Sequence, residues 1–197
     1  SFYGIKEFII CCGYKGHMIK DYFINYGYLN SDLEVNLSDN SVKILDNQKE
    51  DWKITLVDTG AETLTGGRIK RIYKFIKDDN FFCLTYGDGL SDINIKKLIQ
   101  HHVKKKKLAT VKAVSKTGRI GDVNDRINGG FMVINSKVVK SIKNNQSNFE
   151  SDTLTFLSKK KQVSAFIHDG FWQCMDTPRE KIQLENLWRG NAPWKKW

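Results

Sequence analysis

Several apolar runs in this chain stop abruptly on glycine or aspartate, and helical stripes fill the gaps between them. Phe8-Ile9-Ile10-Cys11-Cys12 ends at Gly13, Lys53–Val57 ends at Asp58-Thr59-Gly60, and Phe81–Tyr86 ends at Gly87-Asp88-Gly89. Such short continuous apolar runs are strands buried on both faces. Between the second and third of them, Ile69, Ile72, Tyr73 and Ile76 form one helical stripe. Residues 53–86 therefore predict a strand–helix–strand unit of βαβ length. The alternation continues with a helix over 94–106 whose inner face is Leu98, Ile99, His102 and Val103. Strands follow at 109–114, 131–134 and 163–167, with helices at 136–143, capped by Ser136, and at 151–160. Pro178 after Thr177 is a helix start, opening a last helix to Trp188. The expected class is α/β with a largely parallel sheet. A hairpin stands beside it: Leu33-Glu34-Val35-Asn36-Leu37 alternates, Ser38–Ser41 is turn chemistry, and Val42–Leu45 returns.

The length, 197 residues, suits a single domain over 1–197. No window approaches 18 consecutive apolar residues, so no membrane span is expected, and the N-terminus lacks the features of a signal peptide. Cys11, Cys12, Cys83 and Cys174 have no zinc spacing and read as reduced small hydrophobes of a cytoplasmic protein. The net charge of +10 points to an anionic partner: a phosphorylated metabolite, nucleic acid or a membrane surface. The dense runs Lys104–Lys107 and Lys159–Lys161 each close a predicted helix, where cations complement the dipole. A basic nucleic-acid-binding module is the rival class, and the scatter of the remaining lysines argues against it.

Ligands of open α/β sheets bind beyond the carboxyl ends of the strands. Asp88 sits at such an end between two glycines, and Asp176 at another, just before a helix start. Either carboxylate suits a hard cation such as Mg²⁺, which takes one or two carboxylates plus substrate phosphates. Either also suits a helix cap. The turn Thr63-Leu64-Thr65-Gly66-Gly67-Arg68 opens a helix whose free N–H groups favour an anion or a nucleobase carbonyl, with a plain cap as the alternative. Asn128 before Gly129-Gly130 suits sugar hydroxyls or a turn. His17, His101, His102 and His168 show no ligand spacing, no GxSxG is present, and nothing supports a protein nucleophile.

In their order, EFIICCGYKG, WKITLVDTG, TGGRIKRI, FCLTYGDGLSDI, INGGF, GFWQCMDT and APWKKW resemble the glucose-1-phosphate cytidylyltransferases, a family of sugar nucleotidyltransferases. That resemblance implies a three-layer α/β/α Rossmann-like nucleotidyltransferase fold with a mixed, mostly parallel central sheet and the small hairpin as an extension. It implies the Mg²⁺-dependent joining of CTP and glucose 1-phosphate into CDP-glucose, for the dideoxyhexoses of lipopolysaccharide O-antigen. In it Asp88 and Asp176 are the catalytic magnesium ligands. Thr63, Arg68 and Gly87 lie on the nucleotide, Gly66 and Gly67 near the base, and Asn128 and Gly129 face the sugar. It further implies a homo-oligomer, with Trp188, Trp194 and Trp197 available for packing. UTP or dTTP in place of CTP is the nearest alternative. Two departures stand out: the family's first strand with its GGxGTR-type loop has no counterpart, and a segment near 119–125, where the family carries an EKP motif, is short.

Overall fold

Residues 1–47, 50–115 and 126–196 are described by the computed structural model. Strand β1 (Glu7–Cys12) pairs in parallel with β4 (Lys53–Asp58), in register from Glu7 opposite Lys53 to Cys12 opposite Asp58. A four-stranded sheet has the order β5 (Phe81–Leu84), β8 (Arg126–Asn135), β7 (Ala109–Ser115), β9 (Val163–Ile167). Within it β7–β9 is parallel, while β5–β8 and β7–β8 are antiparallel. The sheet is thus mixed, and β4 and β5, expected in one βαβ unit, lie in different ladders. They still cover one core: Ile9, Cys11 and Val57 from the first ladder pack on the cluster that holds Met132, Ile134 and Ala109 from the second.

The helices close that core from one side. Helix α1 (Gly16–Ile24) and the single turn α2 (Tyr26–Leu29) follow β1. The hairpin β2 (Ser31–Asn36) and β3 (Ser41–Asn47) has the predicted form, with Leu33 opposite Ile44 and Val35 opposite Val42. The helix predicted over 65–76 breaks at Ile72 (φ −89°, ψ 3°) into α3 (Thr65–Arg71) and α4 (Tyr73–Ile76). Its stripe survives the break, since Ile69, Ile72 and Ile76 are all buried against Val138, Val139 and Phe149.

Helix α5 (Ile95–Lys105) covers the other face of the sheet, with Leu98 and His102 buried. His102 Nδ1 bonds the Thr110 hydroxyl at 2.9 Å, which lets a polar ring sit in the interior. Val103, expected inside, is 56% exposed, because the apolar stripe turns toward Ile95 and Ile99 instead. A 3₁₀ segment (Ser136–Ser141) follows β8, capped by Asn135 rather than by Ser136: the Asn135 carboxamide oxygen accepts from the Lys137 N–H. A π-helical turn (Phe149–Leu154) runs into α6 (Thr155–Lys159). A short antiparallel ribbon, β6 (Gly89–Ser91) with β10 (Trp172–Cys174), leads to α7 (Pro178–Arg189). None of the helices among the described residues is long and apolar enough to cross a membrane.

Gly67 and Gly87 separate packing from openness. A methyl group on Gly67 overlaps the Asn145 backbone, whereas one on Gly87 meets nothing within 4 Å. Gly67→Ala is expected to cost about 1–3 kcal/mol in urea unfolding, and Gly87→Ala less than about 0.5 kcal/mol; equal costs contradict this packing.

Candidate active site

The ribbon β6–β10 carries the two aspartates. Its register places Gly89 opposite Cys174 and Trp172 opposite Ser91. One step beyond the last pair, the Met175 N–H donates to the Asp88 carbonyl at 2.9 Å. Asp88 and Asp176 therefore flank the same end of the ribbon, and both are exposed, as is Gly87. Neither aspartate pairs with a lysine or arginine among the described residues.

The Asp176 side of the ribbon is locked by α7. Thr177 caps the helix through the Glu180 N–H at 3.3 Å, and Glu180 Oε2 takes the N–H groups of Asp176 and Thr177 at 2.9 and 2.8 Å. The helix start expected at Thr177-Pro178 is borne out, and Glu180 adds to it a reciprocal capping box that was not foreseen. The Thr177 hydroxyl and these N–H groups hold the Glu180 carboxyl below its ordinary value. Cys174 Sγ, one Asp176 oxygen and one Glu180 oxygen lie within 4.8 Å of one another. Burial, with Asp176 beside it, pushes the Cys174 thiol up to about 11. Oxygen donors free of basic partners at one strand edge fit a hard divalent ion.

Thr63, Gly66, Gly67 and Arg68 form a second group beyond the carboxyl ends of β1 and β4, and they are engaged within the chain. The N–H groups of Gly66 and Gly67, expected to be free, both point to the Ser147 carbonyl at 3.0 and 3.3 Å. A helix start leaves orphan donors, and here the neighbouring backbone satisfies them. Arg68 turns inward as well. Its Nη1 donates to Thr59 Oγ1 at 2.6 Å and to the Gly60 carbonyl at 3.0 Å, and its Nη2 to the Ala61 carbonyl at 3.1 Å. Thr63 is buried. Asn128 is exposed, with its Oδ1 accepting the Gly130 N–H at 2.9 Å, and Gly129 is buried. The shortened segment expected near 119–125 lies outside the described residues.

Sequence reasoning missed a polar group under the ribbon. His168 Nε2 is 2.9 Å from Asp92 Oδ1 and 3.3 Å from Ser91 Oγ. These are the residue types of a hydrolytic triad, but both partners share one ring nitrogen, whereas a relay needs the hydroxyl and the carboxylate on opposite nitrogens. The group fastens the ribbon instead, since Ser91 Oγ also donates to the Phe171 carbonyl at 2.9 Å.

No family model matches the chain. It is 43% identical to the glucose-1-phosphate cytidylyltransferase of Salmonella typhimurium, over the whole of this chain and 84% of that protein. The chain belongs to the glucose-1-phosphate cytidylyltransferase family. A probable glucose-1-phosphate cytidylyltransferase of Bacillus subtilis is 36% identical over the same shares. The aligned stretch with the Salmonella protein spans 215 residues against 197 here, so that relative carries positions this family member lacks. Among solved structures, UDP-glucose pyrophosphorylase from Acinetobacter baumanii superposes with a TM-score of 0.68 at 12% identity, covering 98% of this chain and 80% of that one. HddC from Yersinia pseudotuberculosis gives 0.66 at 18% identity, covering 92% and 78%. These show that the fold is the α/β fold of sugar nucleotidyltransferases.

Arg68 separates an internal clamp from a surface ligand. Arg68→Met strips donors from the Thr59 hydroxyl and from the Gly60 and Ala61 carbonyls. It is expected to lower stability by about 2–4 kcal/mol in urea unfolding; a change below about 0.5 kcal/mol excludes the clamp.

Proposed function

We propose that the chain carries out cytidylyl transfer from CTP to glucose 1-phosphate, forming CDP-glucose and pyrophosphate, with Asp88 and Asp176 as the carboxylates at the centre of the reaction. The observation that carries this reading is their common position at one end of the β6–β10 ribbon, in a chain of this family. Nucleotide is assigned to the carboxyl edge of β1, β4 and β5. There Gly87 is open to solvent, while Thr63, Gly66, Gly67 and Arg68 shape the edge from within. Asn128 and Gly129, on the antiparallel neighbour of β5, are assigned to the sugar side.

The chemistry calls for no protein nucleophile. A phosphate oxygen of glucose 1-phosphate attacks the α-phosphorus of CTP in line, the bond to the β-phosphate oxygen breaks, and pyrophosphate leaves. Catalysis is then positioning and charge neutralisation. Mg²⁺, held by Asp88 and Asp176, supplies Lewis-acid neutralisation of the phosphate oxygens when bound. The net charge of +10 favours capture of two polyanions. Nucleotide substrates and four free thiols suit the cytoplasm.

Pyrophosphate release from CTP, Mg²⁺ and glucose 1-phosphate tests the reaction, with UTP and dTTP as competitors; release with UTP or dTTP but not with CTP reassigns the nucleotide. Asp88→Asn is expected to lower turnover by at least about 100-fold with its urea midpoint unchanged. A near-normal rate removes Asp88 from the site.

The family likeness also supports a homo-oligomer. Met18, Tyr22 and Ile24 of α1 and Leu33, Val35 and Val42 of the hairpin are exposed apolar side chains. Trp188 is exposed too, whereas Trp194 packs on Phe171 of its own chain at 5.3 Å. Trp197 lies outside the described residues. Light scattering is expected to return a multiple of the chain mass, and a monomer mass ends the assignment.

A further inference from the structure

Lys112 breaks the apolar character of β7, Ala-Thr-Val-Lys-Ala-Val-Ser, and it is fully buried, with no accessible surface. Its Nζ has neither a hydrogen-bond nor an ion-pair partner among the described residues. What surrounds the amine is aromatic: the Phe131 ring centroid lies 4.3 Å away and that of Trp172 lies 5.7 Å away. The indole Nε1 of Trp172 is also buried and without an acceptor among the described residues. Two donors without partners among the described residues thus lie close together in the buried layer between the four-stranded sheet and the ribbon, with Asp92 near enough to act on the amine.

The local backbone is built around this side chain. Val111 pairs with Met132 and Ala113 with Asn128, so Lys112 alone faces Gly129, Gly130 and Phe131 across a bulge in β8. The lysine stem lies directly on Gly129. A Cβ there overlaps Lys112 Cε and comes within 3.2 Å of Nζ. Any side chain at 129 would have to displace the lysine stem and Val114, and the neighbouring Asn128 pins the bulge through the Gly130 N–H.

An unpaired ammonium in such surroundings costs several kcal/mol, which a purely structural role does not repay, because methionine fills the same space. Burial drives the amine down from the ordinary lysine value to about 7, with Asp92 only partly opposing it. A group held near neutrality between protonated and free forms is ready to take up a proton together with an anion. Cation–π attraction to the two rings keeps it in place meanwhile.

We propose that Lys112 Nζ and Trp172 Nε1 are the anchoring donors for the phosphate of the hexose 1-phosphate, with the Phe131 and Trp172 ring faces against the apolar edge of the sugar. The assignment rests on the cytidylyl-transfer reading for the identity of that substrate. The donor set favours an anion, since two N–H donors without partners among the described residues converge there. The position is right as well: Lys112 touches Gly129 on one side, and Trp172 lies on the strand that leads to Asp176. The indole covers the amine, so binding turns the Trp172 side chain outward. The ribbon that carries it is held by three register pairs.

The test is titration calorimetry of glucose 1-phosphate, with and without CTP and Mg²⁺, on the whole chain and on Lys112→Met, Lys112→Gln and Trp172→Phe. Loss of a charge-assisted hydrogen bond predicts at least about tenfold weaker glucose 1-phosphate binding in both lysine variants. Affinity for CTP is expected to stay within about twofold. Lys112→Met is expected to unfold in urea at or above the wild-type midpoint, as befits removal of an unpaired buried amine. Unchanged glucose 1-phosphate affinity in a folded lysine variant overturns the proposal, and so does the absence of glucose 1-phosphate binding to the wild type. Should both lysine variants unfold, Trp172→Phe decides: weaker glucose 1-phosphate binding supports the pocket, and equal binding ends it. Binding without pyrophosphate release defeats the transfer reading and leaves this pocket standing. Release with an unchanged KM for glucose 1-phosphate in Lys112→Met does the reverse.

Discussion

The backbone bond from the Met175 N–H to the Asp88 carbonyl closes the end of a ribbon only three pairs long, and the candidate active site depends on it. Asp88 ends the stretch that follows β5, and Asp176 precedes α7, so nothing local relates them. The ribbon is short enough to be marginal by itself. It is held from three sides: the Glu180 capping box fixes the N–H groups of Asp176 and Thr177, His168 pairs with Asp92, and Phe171 packs on Trp194. Structural polar groups thus surround the two exposed carboxylates without engaging them in ion pairs, and that leaves their oxygens available to a cation.

The basic residues divide by where their hydrogen bonds go. Arg68 spends its guanidinium on internal oxygens at the ends of β1 and β4, and Arg71 adds a bond to the Thr59 carbonyl at 2.9 Å. Both shape the edge they hold. Lys104 and Lys105 sit in the last turn of α5, where the helix dipole favours them. Lys112 differs from these in being buried without a partner among the described residues. The excess of positive charge is therefore mostly a long-range field, with few side chains placed to touch a ligand directly.

Much of the fold was legible because periodicity and cap chemistry are local. The strands at 7–12, 53–58 and 163–167, the hairpin and the capped helix from Pro178 all follow from alternation, stripe and turn residues. The break at Ile72 and the exposure of Val103 did not follow, since both depend on which neighbours a stripe meets. The inward turn of Arg68 was hidden for the same reason: an arginine in a first helical turn has the same local pattern whether its fork reaches a phosphate or a carbonyl.

From the residue order alone came the α/β class, the glycine-flanked Asp88, the strand-end Asp176 and the family, because each rests on short local patterns and on their order along the chain. The pairing of β6 with β10, the separation of β4 from β5 into two ladders and the burial of Lys112 against Gly129 were decided only in three dimensions. They rest on contacts between segments far apart in the chain, whose free energy depends on packing and on lost solvation, and no local pattern of residues encodes either one.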